Sequence, residues 1–232
     1  MIDYINKLVF PPKCIFCSEL LEYKEKLEIC TKCIGKVPLI KDNSVFLKSF
    51  MHGVDAEAVW FDGIFCTCEY KGIVKEAIIR YKYFGKYSYY RAFANLTAQR
   101  LKAVKNMDEF DMVISVPLHK RKERTRGYNQ SLLISRELGK ITGIPDKSRL
   151  LARIRHTDTQ SLLHRNERYI NVKDAFTVTD ENEVEGKSIL LVDDVLTTGY
   201  TLNECSKVLK KAGARQVYAV VVAAALHDIA QL

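Results

Sequence analysis

The sequence predicts an α/β fold, a mainly parallel sheet flanked by helices, with a small metal-binding module at its amino end. Three observations predict it. Short apolar runs alternate with helically spaced segments over the larger part of the chain, the pattern of strand–helix–strand units. One run, Ile189 to Val192, leads into two aspartates, a hydroxyl-rich turn and an amphipathic segment. Four of the seven cysteines fall in two Cys-x-x-Cys pairs near the amino end. The expected division is a four-Cys module at 1–40, a connector at 41–60 and the α/β domain at 61–232.

Taken in order, Cys14-x-x-Cys17 and Cys30-x-x-Cys33 stand twelve residues apart, after Pro11 and Pro12. Two such knuckles place four thiolates tetrahedrally around one ion, and Zn²⁺ favours that donor set. All four positions are filled, which fits a structural site. About thirty residues bury little core, so the metal would supply the folding free energy. A redox pair or ordinary cysteine pairs are the competing readings, and the duplicated spacing favours zinc.

Residues 34 to 60 lack periodicity and read as a connector with some local structure. Ile64 to Tyr70 reads as a strand that places Cys66 and Cys68 on one face as core thiols. Ile73, Val74, Ala77, Ile78 and Tyr81 have helical spacing, and a second helix runs from about Tyr89 to Lys105. Asp111 to Val116 reads as a buried strand ended by Pro117. Gln130 to Ile141 reads as a helix turning Leu132, Leu133, Leu138 and Ile141 inward. Ile189 to Val192 and Val217 to Ala223 are two further core strands, and Cys205 lies on the core side of the helix between them. In such sheets ligands bind beyond the carboxyl ends of strands. Pro117 and Asp193 both follow strands, so their loops can meet at one site.

At that point the chemistry concentrates. Asp193 and Asp194 stand where the strand is expected to end, followed by Thr197, Thr198, Gly199 and Thr201. A turn that opens a helix offers backbone N–H groups and the positive end of the dipole, which suits phosphate. Gly199 allows close approach and positive φ. The carboxylates can accept from a neighbouring diol or hold a divalent cation through water. One ligand needs all of this: a sugar 5-phosphate with adjacent ring hydroxyls. An ordinary βα turn capped by Thr198 or Thr201 would explain one threonine but not the acidic pair.

The formal charge of the 232 residues is +8, which points to anionic ligands. Residues 119–168 hold thirteen Lys or Arg against five Asp or Glu, so the excess is localised there. Its first cluster is His119 to Gln130; its second runs from Arg153 to Gln160 and on to Arg165 and Arg168. A solvated surface is the plainer account of any single basic residue. Two basic loops near a sugar-phosphate site suggest a polyanion, pyrophosphate or nucleic acid. Gly127 and Tyr128 read as a flexible turn carrying one aromatic, thin support for base stacking. The first twenty residues carry Asp3, Lys7 and Lys13 and show no signal-peptide pattern. The apolar stretch Val217 to Leu226 is too short to span a bilayer. A cytoplasmic protein is expected, where cysteines bind metal rather than form disulfides.

The Asp-Asp-x-x-Thr-Thr-Gly-x-Thr stretch resembles the fingerprint of type I phosphoribosyltransferases. That resemblance implies that Asp193 and Asp194 hold the ribose 2′ and 3′ hydroxyls of phosphoribosyl pyrophosphate, with Mg²⁺ near them through water. It implies that Thr197 to Thr201 wrap the 5′-phosphate. Four features together resemble the ComF family: the four-Cys module; Val116-Pro117-Leu118 leading to Arg126-Gly127-Tyr128-Asn129-Gln130; Arg153 to Gln160 with Asn171-Val172 and Phe176; and the Asp-Asp loop. The match covers nearly the full chain.

The family resemblance implies a zinc module joined to a type I phosphoribosyltransferase fold. It also implies a role in natural competence, handling internalised single-stranded DNA beside a helicase-like translocase and recombination proteins. Val116, Pro117, Leu118, His119, Lys120 and Arg121 resemble the pyrophosphate loop, whose backbone N–H groups would be donors. The segment from Arg153 to Arg168 resembles the mobile loop that closes over substrate, with Arg155, His156 and Gln160 as closing residues. Lys120, Arg121, Lys122, Arg124 and Arg126 are the nucleic-acid candidates. An acceptor hood would lie within residues 40 to 90, where Tyr70, Lys71, Lys82 and Tyr83 are candidates to line it; surface aromatics and a lysine pair without any site are the plainer account of the same four. The transfer needs no covalent nucleophile, so Cys205 is not read as one. Two functions compete: a catalytic phosphoribosyltransferase with an unidentified nitrogenous acceptor, and a protein that binds phosphoribosyl pyrophosphate while its basic face binds DNA or a protein partner. A purine-salvage enzyme unrelated to competence is the weaker third.

Overall fold

Four strands form one parallel sheet in the order β1-β6-β5-β2: β1 (Gly63–Glu69), β2 (Met112–Ser115), β5 (Ser188–Leu196) and β6 (Gln216–Ala224). The computed structural model describes residues 11–21, 27–43, 59–155 and 172–225. Two short antiparallel strands, β3 (Leu151–Arg153) and β4 (Phe176–Val178), stand beside the main sheet.

Helices cover both faces. Thr31–Ile34 (α1) lies in the amino-terminal segment, followed by α2 (Gly72–Tyr83), α3 (Tyr90–Lys102), α4 (Lys120–Arg126), α5 (Gln130–Thr142) and α6 (Tyr200–Lys211). The central strand shows why both faces are apolar. Leu190 and Val192 join one core with Phe93, Ile134 and Leu138, while Ile189 and Leu191 join the other with Leu202, Cys205 and Leu209. A strand buried on both faces reads as a continuous apolar run, as this one does.

That run does not end the strand. β5 continues through Asp193 and Asp194 to Leu196, because β6 supplies ladder partners as far as Ala224. On its other edge the pairing stops early. Ser115 meets Val192, Val116 N donates to Val192 O, and Pro117 follows. The acidic pair therefore lies past the end of β2, at the mouth of the sheet.

Two expectations about side-chain direction change. On α5 the buried positions are Gln130, Ser131, Ile134, Ser135, Leu138 and Gly139; Leu132 and Leu133 are only half-buried. The helix comes close to its surroundings through small residues: a Cβ on Gly139 would stand 2.7 Å from Ile144 O. The hydroxyls of Ser135 and Ser148 bond Asp146. Cys66 and Cys68, two apart on β1, pack in different cores. The chain from Pro38 to Asn43 runs along the β1 edge, where Leu39 bridges to Cys68 and Asn43 Oδ1 accepts from Cys66 N.

The amino-terminal segment is docked. Arg80 on α2 donates from Nη2 to the backbone oxygens of Ile15 and Phe16, at 2.9 Å each. Arg100 on α3 donates to Ile40 O at 3.0 Å. Cys14, Ile15, Phe16, Cys33 and Val37 share one apolar cluster with α2 and α3.

Candidate functional site

Beyond Val192 the two aspartates take different partners. Asp193 Oδ1 accepts from Ser131 Oγ at 2.7 Å, on the first turn of α5, and from Asp194 N at 2.9 Å. Asp194 is buried, and its Oδ1 meets Lys82 Nζ at 2.9 Å. Burial, with the neighbouring Asp194 charge, pushes the Asp193 carboxyl up to about 7; the Ser131 hydroxyl and Lys82 oppose that rise. Burial alone would lower Lys82, but Asp194 outweighs it and holds the ammonium above its ordinary value.

After Leu196 the chain turns through Thr197 and Thr198 into Gly199, which has φ 76° and occupies the N-cap of α6. That left-handed backbone is why a glycine stands there. The cap position has no side chain, so neither Thr198 nor Thr201 serves as the N-cap. Asp193, Leu196, Thr197, Thr198, Gly199, Thr201 and Leu202 line a cavity of about 40 Å³. Helix α6 opens into it with its positive end. Five of the six residues nominated for the sugar phosphate thus meet at one pocket. The sixth, Asp194, turns to Lys82 instead.

The loop after β2 arrives beside the acidic pair. Asn129 ties it down: Nδ2 donates to Val116 O at 3.2 Å, while Oδ1 accepts from Ser131 N and Leu132 N and so caps α5. Val116, Pro117, Leu118 and His119 are irregular chain, but Lys120 and Arg121 are not. The stretch expected as a basic loop is helix α4, begun by His119 Nδ1 accepting from Arg121 N and ended by Gly127 at φ 87°. Lys120, Arg121 and Arg124 are exposed on it, and Lys122 is half-exposed.

Tyr128 is not on a flexible turn. Its ring packs on Tyr81 with centroids 5.6 Å apart, and its hydroxyl donates to Tyr81 O. In return Tyr81 Oη donates to Gln130 O at 2.9 Å. Arg126 donates to Gln130 Oε1 at 2.6 Å and lies over the Tyr83 ring at 5.1 Å. The Arg-Gly-Tyr-Asn-Gln segment is therefore a clasp around the end of α2.

Of the hood candidates, Lys71 pairs with Glu69 at 2.6 Å and Tyr83 is exposed. Burial raises the half-buried Tyr70 hydroxyl, and the charges of Lys82 and Asp194 reach it. Of the closing residues, Arg155 donates to Lys173 O, while His156 and Gln160 lie outside the described residues, as do Arg165, Arg168 and Asn171. Arg153 on β3 sits over the Phe176 ring at 5.3 Å; burial lowers it, and the Asp193 charge partly offsets that. Sequence reasoning missed Ser131 and the Lys82–Asp194 pair as parts of this site. The repeated hydroxyls Ser131 and Ser135, at helical spacing with Ile134 and Leu138 on the buried face of α5, were the available signal for the first.

The sulfur atoms of Cys14, Cys17, Cys30 and Cys33 all lie within 4.8 Å of one another. A tetrahedron with metal–sulfur bonds of about 2.3 Å has edges of about 3.8 Å, so the cluster is suited to one ion. Cys30 N donates to Cys14 Sγ at 3.4 Å. Burial raises the Cys14 thiol, but bonds from backbone N–H groups of Cys30, Cys17 and Phe16 outweigh it and bring it down to about 7. That favours a thiolate. Among the described residues no helix is long and apolar enough to cross a membrane.

A family model described as phosphoribosyl transferase domain matches residues 133–231. The chain is 35% identical over 144 residues to Competence protein F of Haemophilus influenzae, covering 60% of this chain and 63% of that one. It is 39% identical over 107 residues to the DNA utilization protein YhgH of Salmonella typhi, covering 46% of each. The matches thus span about half to under two thirds of these relatives. Among solved structures it is similar to the glutamine phosphoribosylpyrophosphate amidotransferase of B. subtilis, at 22% identity and TM-score 0.41, over 62% of this chain and 30% of that one.

Proposed function

We propose, from the premise that the chain is a ComF-family relative carrying a phosphoribosyltransferase domain, that it binds phosphoribosyl pyrophosphate with Mg²⁺ and acts in natural competence. The observation that carries this reading is the pocket at the start of α6, where Asp193, Thr197, Thr198, Gly199 and Thr201 converge. The threonine turn and helix end take the 5′-phosphate. Asp193 and Asp194 take the ring hydroxyls and hold Mg²⁺ through water. The Val116–Arg121 segment takes the pyrophosphate, and Arg155, His156 and Gln160 belong to the loop that closes. The four cysteines hold Zn²⁺ in a module at 1–40, joined through 41–60 to the transferase-like domain at 61–232, and the protein works in the cytoplasm.

The second ligand in this reading is internalised single-stranded DNA, passed among a helicase-like translocase and recombination proteins. The basic face of α4 supports it, with Lys120, Arg121, Lys122, Arg124 and Arg126. So do the exposed rings of Tyr83, Phe84 and Tyr87, since bases stack on aromatics beside a cationic track.

Calorimetric titration of phosphoribosyl pyrophosphate with Mg²⁺ tests the reading, in the wild type and in Asp193→Asn/Asp194→Asn. Binding in the first and none in the second is expected. No binding to the folded wild type would overturn it. A catalytic phosphoribosyltransferase of nucleotide metabolism, transferring to a nitrogenous acceptor, is the alternative. The intact acidic pair favours it equally, and steady pyrophosphate release on adding an acceptor would identify it.

A further inference from the structure

The acidic pair already has a cation, and it comes from outside the segment that carries the pocket. Lys82 lies 112 residues from Asp194 in the chain, in the last turn of α2, yet its ammonium stands 2.9 Å from Asp194 Oδ1. The contact is enclosed: the Lys82 side chain is 19% exposed and that of Asp194 11%. The placement is built rather than incidental. Tyr81, the preceding residue, is fully buried and bound at both its polar ends, by the Gln130 carbonyl and by the Tyr128 hydroxyl. A helix end held on both sides of one residue fixes where the next side chain starts.

We infer that Lys82 is a positioning residue of the sugar-phosphate site, the resident counter-charge of Asp194, which keeps a divalent ion off the acidic pair until a sugar phosphate brings one. This rests on the reading of the pocket given above. Two adjacent carboxylates in a half-closed site attract a divalent cation strongly, because charge interactions there are far less screened than in water. One of them is met by a fixed ammonium. A metal arriving alone must then face that positive charge with a single remaining carboxylate. A metal arriving with pyrophosphate brings its own anionic ligands and needs the protein only through water. The pair is thus arranged for the metal–ligand complex rather than for the bare metal.

The test uses Mn²⁺ alone with the zinc-loaded full chain, read by electron paramagnetic resonance of free Mn²⁺. Wild type and Lys82→Arg are expected to bind it weakly and alike. Lys82→Met is expected to bind it at least about tenfold more tightly, the scale of removing one nearby charge, and adding Asp194→Asn is expected to cancel the gain. Lys82→Gln, which keeps a donor for Asp194, is the companion variant should Lys82→Met not fold, and the same gain is expected from it. Mn²⁺ affinity equal to wild type in a folded Lys82→Gln or Lys82→Met protein would overturn the inference. No sugar phosphate is present in this titration, so its outcome is independent of whether the wild type binds phosphoribosyl pyrophosphate.

Discussion

Tyr128 and Tyr81 hold each other's neighbourhood in place: the Tyr128 hydroxyl bonds the Tyr81 carbonyl, while the Tyr81 hydroxyl bonds the carbonyl of Gln130. The carbonyl of Tyr81 is one of the last in α2, where helical partners run out. Tyr128→Phe leaves that oxygen without its donor. A loss of about 1–3 kcal/mol in urea unfolding is expected, with weaker sugar-phosphate binding because Lys82 follows Tyr81. Unchanged affinity alongside unchanged stability would remove the clasp from the account.

The pH response of the pocket follows from Asp193, whose carboxyl is pushed up to about 7. In the proposed role its carboxylate is the form that would accept from ring hydroxyls. Affinity for phosphoribosyl pyrophosphate with Mg²⁺ is therefore expected to rise through neutrality and level off above it. Stability runs the other way. With the folded value above the unfolded one, the folded state binds more protons between about pH 4 and 7, so this group's contribution declines as pH rises across that window. Asp193→Asn removes that decline. Parallel melting curves of wild type and variant from pH 5 to 7 would refute it.

Gly139→Ala reverses a familiar rule. An exposed helical glycine gains about 1 kcal/mol on conversion to alanine. Here the new Cβ meets Ile144 O at 2.7 Å, a backbone atom that cannot swing away. A net loss of about 1–3 kcal/mol is expected from this overpacking, measured as a lower urea midpoint. A stabilised variant would mean that the turn after α5 yields easily.

Cys14→Ser is expected to release the metal and loosen the amino-terminal segment. Zinc content by mass spectrometry, with proteolysis of the first forty residues, reads both effects. Full metal content in the variant would show that the ligand set is wrong.

Neutralising Lys120, Arg121 and Lys122 together is expected to weaken single-stranded DNA binding without changing the melt, since these side chains stand on the surface of α4. Three lost phosphate contacts would flatten the slope of log K against log salt by about 2. An unchanged slope would exclude α4 from the DNA surface.

Local patterns made the motif-bearing parts legible. The run Ile189 to Val192, the two aspartates and the threonine turn are contiguous, and so are the cysteine knuckles. What was not legible depends on distant partners. β5 extends to Leu196 because β6 pairs with it there, a fact of register rather than of hydropathy. The Lys120–Arg126 stretch reads as a charged loop until His119 is seen to cap it. Leu132 and Leu133 satisfy helical spacing, yet the buried face is offset toward Ser131 and Ser135, which bond acids from elsewhere in the chain. Nothing near Lys82 in sequence names Asp194, its partner 112 residues away.

Arg80 and Lys82 sit two residues apart on α2, one gripping the cysteine module through Ile15 and Phe16, the other gripping Asp194. A helix advances only about 1.5 Å per residue, so these grips are fastened to a single stiff rod. Whatever shifts the module shifts the rod, and the lysine travels with it. An ion held by the four cysteines would thus reach past its own knuckles: their segment abuts the rod that carries Lys82, so losing such an ion would be felt at the acidic pair.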